Sequence, residues 1–328
     1  MKVGNKIPFI KQWVSILLLL FPSLIKAGAI ENRIETTRYI LRMSVDSCAF
    51  NVYLNDIEVV SNHSGRALSG GTGIGEVLQP KNNILRLEVW DPTAKDGQWR
   101  DNSKCEVYIQ GYDQIRKLKV ETVTQISFYP GLQPDLSKPE ELFNNTQYID
   151  NQLGRSLSSP DITYSTESQR YTIVRTFDVR DGYIEWPWYQ STELVAPFSD
   201  EKMSKLNEAY QELWVSLSNK ELTNVRKLFQ ERISESSMSN HYDEDFYFST
   251  MDFQLYFEDE EFKDFIFIPL NFNQTKLQFS LNNKAVQLVP SPLLLCHKEN
   301  TGTNLNQNAC IEFNPKFRFD GDKFVITR

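Results

Sequence analysis

CAFNVYLNDIEVV, residues 48–60, alternates apolar and polar residues on both sides of an Asn-Asp pair. Phe50, Val52 and Leu54 fall on one face of an extended chain, and Ile57 and Val59 repeat the pattern beyond the pair. This predicts a hairpin, because asparagine and aspartate tolerate the positive φ that a tight turn demands. Working outward, Arg38–Val45 reads as extended, Ile84–Trp90 alternates cleanly, and Cys105–Gln110 and Lys117–Ser127 add strands. Strands at such spacing, with no helical period between them, predict a β-sandwich over residues 30–129. The glycine-rich run Gly65–Gly75 reads as a flexible connection. A phosphate cradle would need a helix N-terminus after it, and Pro80 and a strand follow instead.

A Pro-, Ser- and Asn-rich stretch over 130–167 reads as a linker. Residues 168–328 form the expected second domain, opening on a strand at Tyr171–Val179 that turns at Arg180-Asp181-Gly182 into another running through Trp186. Two helices follow. Ser199 is the N-cap of the first, with Met203, Leu206, Tyr210, Leu213 and Leu217 at helical spacing. Ser218 and Glu221 form a capping box for the second, and Leu222, Val225, Phe229 and Ile233 continue the apolar stripe. The chain returns to strands at Phe265–Leu270, Lys276–Leu281, Ala285–Val289 and Leu293–Cys296, and closes with the hairpin Phe317–Thr327. The expected fold is thus a two-domain one: an N-terminal β-sandwich, then an α+β unit with a helix pair packed on a curved antiparallel sheet.

The first 29 residues read as a cleaved signal peptide. Lys2, Lys6 and Lys11 precede an apolar run from Trp13 to Ile25, and Ala27-Gly28-Ala29 offers small residues for cleavage. The run is about 13 residues against the roughly 20 needed to span a bilayer, so no stable membrane anchor is expected after cleavage. Export makes the four cysteines legible as disulfides. Proximity favours Cys48–Cys105 and Cys296–Cys310 among the three possible pairings. The competing readings are buried free thiols or zinc ligation, and zinc lacks any Cys-x-x-Cys spacing. With 35 Lys and Arg against 43 Asp and Glu, the chain carries −8. Loss of the signal, with its four lysines and no acids, makes it more acidic still. Such a charge disfavours nucleic acid and anionic lipid and favours a basic partner.

Catalytic motifs are scarce. His63, His241 and His297 are the three histidines, and neither Gly-x-Ser-x-Gly nor His-Glu-x-x-His occurs. Asp320-Gly321-Asp322 is too short for a calcium loop and reads as a hairpin turn. No cofactor or metal is expected, and no catalytic residue is assigned. Two stretches invite a binding role. From Tyr242 to Phe267, Asp243, Glu244, Asp245, Glu258, Asp259, Glu260 and Glu261 interleave with aromatics including Tyr256, and Lys263 is the single basic residue. The bland reading is a solvated strand edge and loop with its aromatics turned inward. The functional one is an acidic docking surface with aromatic anchors. Trp186-Pro187-Trp188-Tyr189 is either core packing or an aromatic platform, with Trp186 and Trp188 as contacts.

The layout SCAFNVYLNDIEV…NNILRLEVW, then a linker, then a helix-pair domain ending PLLLC…ACIEFNPKFRFDGDKFVITR, resembles periplasmic immunity proteins that accompany antibacterial type VI secretion effectors, particularly phospholipase effectors. The second domain is also similar to the NTF2-like fold, without its active-site residues. The resemblance implies a non-enzymatic periplasmic inhibitor that binds a cognate protein toxin through a complementary surface. The rival expectations are an envelope protein that binds a glycan or small ligand, through Trp186 and Trp188 or a cavity under the sheet, and a hydrolase built on one histidine.

Overall fold

The computed structural model describes residues 37–91, 99, 103–112, 120–129, 149–157, 160–180, 184–300 and 310–328. The expected signal peptide and the first part of the expected linker lie outside them.

The opening hairpin forms as its pattern requires. β1 (Arg38–Asp46) leads into β2 (Ala49–Leu54) and β3 (Ile57–Asn62), joined by Asn55 and Asp56 with φ of 50° and 63°. Further strands are β4 (Leu68–Gly73), β5 (Asn83–Trp90), β6 (Lys104–Tyr112), β7 (Glu121–Phe128), β8 (Gly154–Ser156), β9 (Asp161–Ser165) and β10 (Arg170–Val179). One sheet has the order β4-β1-β6-β7, and the other runs β3-β2-β5-β10-β8 with β9 also on β10. Tyr39, Leu41, Met43, Val107 and Ile109 from the first sheet share a core with Val52, Leu85, Leu87, Tyr171 and Ile173 from the second, which is sandwich-like packing. Arg175 is buried with them on the inner side of β10 and donates to the Gln125 carbonyl of the facing sheet at 2.6 Å, so one guanidinium links the two layers.

Three expectations change here. The glycine-rich stretch is an edge strand, β4, paired with β1 from Ile40↔Gly73 to Val45↔Leu68. Tyr171–Val179, expected to open the second domain, is instead an inner strand of the first sandwich, paired with β5 and flanked by β8 and β9 from the expected linker. Its alternating Tyr171, Ile173 and Phe177 need an apolar layer to cover them, and the sandwich supplies it. No strand runs through Ile184–Trp186, which is irregular.

The second core is built on α1 (Asp200–Ser218), α2 (Leu222–Leu228), α3 (Gln230–Asn240), α4 (Glu244–Ser249) and α5 (Phe253–Glu258). Its strands are β11 (Phe265–Phe267), β12 (Lys276–Ser280), β13 (Ala285–Val289), β14 (Leu294–His297), β15 (Cys310–Glu312), β16 (Phe317–Phe319) and β17 (Phe324–Ile326). They form two small antiparallel sheets, β11-β14-β15 and β12-β13-β16-β17, in place of one curved sheet. The Cys296–Cys310 disulfide ties β14 to β15. Ser199 caps α1 as expected, accepting from the Lys202 N–H at 3.2 Å. The Ser218 capping box does not form. Burial of Leu217 carries α1 through Ser218, the chain reverses at Lys220 with φ of 56°, and the second helix breaks at Phe229 into α2 and α3.

Leu281 and Ala285 of the second half belong to the sandwich core, so the two cores meet through side chains as well as backbone. Asn55 is fully buried there. Its amide donates to the Val77 carbonyl at 2.7 Å and to Asn83 Oδ1 at 3.0 Å, and its own carbonyl accepts from the Leu281 N–H at 2.7 Å.

Candidate functional site

The acidic–aromatic stretch folds as two short helices and a 3-10 turn, Glu260–Phe262, leading into β11. Asp243 begins α4 by accepting from the Asp245 N–H at 2.8 Å, and Asp259 does the same for Glu261 at 2.8 Å. Each carboxylate thus satisfies an orphan N–H at the start of a turn. The aromatics divide by face. Phe248 and Phe253 are buried in the second core, where Phe253 stacks on Phe313 at 5.9 Å. Tyr256 is partly buried, edge-on to Phe262 at 5.1 Å, and desolvation with Asp252 nearby holds its hydroxyl pKa above the ordinary value. Tyr242, Phe246, Leu255 and Ile266 face solvent, with Phe246 54% exposed.

The acids also separate into two groups. Asp245 pairs with Arg226 at 2.6 Å, and Glu244 accepts from Ser234 at 2.7 Å and Gln230 at 3.1 Å. These carboxylates are engaged within the fold. Glu258, Asp259, Glu260 and Glu261 are all exposed, and within that run Lys263 reaches Glu260 at 3.3 Å. Their field therefore opens to solvent, with the exposed Leu255 one helical turn before Glu258 and Asp259.

The tryptophans are placed differently from the expected platform. Trp186 and Trp188 are 3% and 0% exposed, and their indole N–H groups donate to the Gly75 and Glu76 carbonyls, both at 2.9 Å. Both rings are structural, since a buried indole must place its N–H on an acceptor and the turn Gly75–Val77 provides two. Neither ring offers a face to a ligand. Cys48 and Cys105 are likewise corrected, standing as two buried thiols rather than a disulfide. Burial pushes the Cys48 thiol up to about 12 and Cys105 well above its ordinary value, so both are protonated and unreactive at neutral pH.

The histidines do not converge. His63 Nε2 lies 2.7 Å from Asn51 Oδ1, His241 ends α3 in the left-handed region, and His297 packs on Phe265 at 5.5 Å. Among the described residues no cluster of three or more His, Cys, Asp or Glu could hold a metal ion, and no helix is long and apolar enough to cross a membrane.

Sequence reasoning overlooked the junction between the cores. The turn Gly75–Val77 accepts from both indoles and from Arg328, while the Glu76 carboxylate accepts from Ser239 at 2.8 Å. Arg328 also pairs with Glu235, both being buried, and Arg318 grips Glu231 with two bonds at 2.8 and 2.6 Å. No local signal flags Glu235: on its helix it falls about 200° around from Ile233, off the apolar stripe, where an acid is ordinary. Arg38 and Arg42, four apart on β1, also escaped notice, although period two puts them on one face. Compared with known protein families, curated proteins and solved structures, the chain matches none.

Proposed function

We propose that this chain is a non-enzymatic binding protein that docks a basic protein partner on the face built by residues 242–266. The observation that carries the reading is the exposed acidic run Glu258–Glu261 with the exposed Leu255 one helical turn before Glu258 and Asp259, on a segment that also exposes Tyr242, Phe246 and Ile266. Exposed apolar groups beside a one-signed charge supply contact area and steering together. In line with the sequence resemblance, the partner is a toxic effector of the type VI secretion class, phospholipase in type, and the chain acts as its immunity protein in the periplasm. The Cys296–Cys310 disulfide suits an oxidising compartment of that kind. The glycan-binding alternative loses its main support, because Trp186 and Trp188 are enclosed.

The test is co-purification with products of adjacent genes, followed by co-expression with any that is toxic. Protection is expected only when the chain is exported. Reversing Asp259, Glu260 and Glu261 to lysine should weaken the complex by about tenfold or more at low salt, with a smaller effect at high salt. An unchanged affinity would place the contact elsewhere. A toxin-free neighbourhood with no bound product would end the immunity reading.

A further inference from the structure

A groove of about 500 Å³ lies on the outer face of the first sheet, where β1 and β4 meet the end of α3 and the start of α4. Tyr39, Leu41 and Met43 of β1 point into the core, so Arg38, Ile40 and Arg42 share the opposite face. In register beside them stand Gly73 opposite Ile40 and Gly71 opposite Arg42. The absence of a Cβ at Gly71 lets the Arg42 side chain lie across β4, its Cδ 3.5 Å from where a Cβ would stand, while Asn240 fills the space over Gly73. Asn240, Tyr242 and Tyr247 form the wall.

The charges are unusual for an acidic chain. Arg38 donates to the Tyr242 hydroxyl at 3.2 Å, while its Nε is enclosed with no hydrogen-bond partner. Arg42 is exposed. Among the described residues, neither guanidinium lies within 4.0 Å of a carboxylate oxygen. Glu76 also lines the groove, its carboxylate accepting from Ser239 at 2.8 Å and Asn240 at 3.4 Å, and against it the two guanidiniums leave the lining net positive. The backbone of β4 adds a second kind of recognition. Among the described residues it pairs with β1 alone and forms the end of its sheet, and Ser69, Gly70 and Gly71 are exposed. Every second residue of such a strand turns its N–H and C=O outward.

We propose that this groove takes an extended acidic segment of a partner protein, added as a strand along β4, with its carboxylates on Arg42 and Arg38. An added strand would lie two strand spacings from β1, roughly 10 Å, and the Arg42 side chain, which already lies over Gly71, can cover that distance together with a glutamate. The charge of the groove selects acidic residues, and the edge selects extended backbone. This contact borders the segment 242–266, sharing Tyr242 and Tyr247 with it, and is opposite in sign to the acidic run Glu258–Glu261.

The probe is a capped eight-residue peptide alternating Glu and Val, titrated into the full chain at low salt, with a Lys–Val peptide and citrate as controls. The expected result is saturable Glu–Val binding with slowed amide exchange across Leu68–Gly73. Arg42→Gln, at an exposed and unpaired site, should weaken it by about tenfold, and Arg38→Gln by a similar factor. Failure to bind at millimolar concentration, equal binding of the Lys–Val peptide, or unchanged affinity in Arg42→Gln would overturn the proposal. Binding without amide protection in β4, or full competition by citrate at equal charge, would reduce the groove to a simple anion site and overturn strand addition. Since no toxin enters this experiment, its failure leaves the proposed immunity role untouched.

Discussion

Single residues carry much of the connection between the two cores, and Glu235 is the most telling. Its burial lifts the carboxyl from 4.5 to about 7, because desolvation outweighs the pull of Arg328. Between those values the folded chain keeps a proton that the unfolded chain has lost. The contribution of this group to stability is therefore greatest below about pH 4.5 and declines as pH rises through 7. Thermal midpoints followed from pH 5 to 8 should show that decline, and Glu235→Gln should flatten it. A slope unchanged by the substitution would assign the pH dependence to other groups. Asn55 shows how far a residue can be read in advance. Its role in the turn was legible from Asn-Asp between alternating strands, and the positive φ follows from it. Its burial was not legible, because the groups that enclose it, Val77, Asn83 and Leu281, are distant in sequence. Sequence spacing placed Cys48 and Cys105 in one module, and Cys48 does act on the Cys105 thiol, but spacing does not state whether two neighbouring thiols are oxidised, and here both are free.

At the scale of elements, local pattern was reliable where a segment's own period decided its structure. β5 and β13 fall where alternation puts them, and Ser199 caps α1. Short elements were harder. α4 and α5 have six residues each, too few for a helical period to show, so their aromatics passed as strand or loop. The glycines of β4 concealed a strand because glycine carries no alternation, and its order is imposed by β1 and by α3. The contact with α3 is close. A Cβ built on Gly73 would fall 1.4 Å from Asn240 Oδ1, whose side chain is held by the Ser236 carbonyl and Ser239 Oγ, both at 3.0 Å. Gly73→Ala should therefore cost about 1–3 kcal/mol in urea unfolding by displacing that network. Gly70→Ala meets nothing within 4 Å and should stay within about 0.5 kcal/mol. Equal effects at the two sites would refute the packing account.

For the whole molecule, the joining of the cores predicts joint unfolding. Leu281 and Ala285 sit in the sandwich core, Lys284 reaches the Ser191 carbonyl at 2.7 Å, and the indoles of the connecting segment are anchored on Gly75 and Glu76. Loss of either core would strip buried polar groups of their partners in the other. Calorimetry should show one transition with matching calorimetric and van't Hoff enthalpies, and two resolved transitions would show that each core stands alone. None of this junction could be read from the chain, since no local pattern reports a pairing between remote segments. The contact between Glu76 and Arg328 has a further consequence, for they lie 252 positions apart. Until that remote segment is present the Glu76 carbonyl lacks this donor, so an exported chain that crosses the membrane unfolded would show a finished hairpin above an unfilled seam on the far side, and helpers that cover such seams would act on it there.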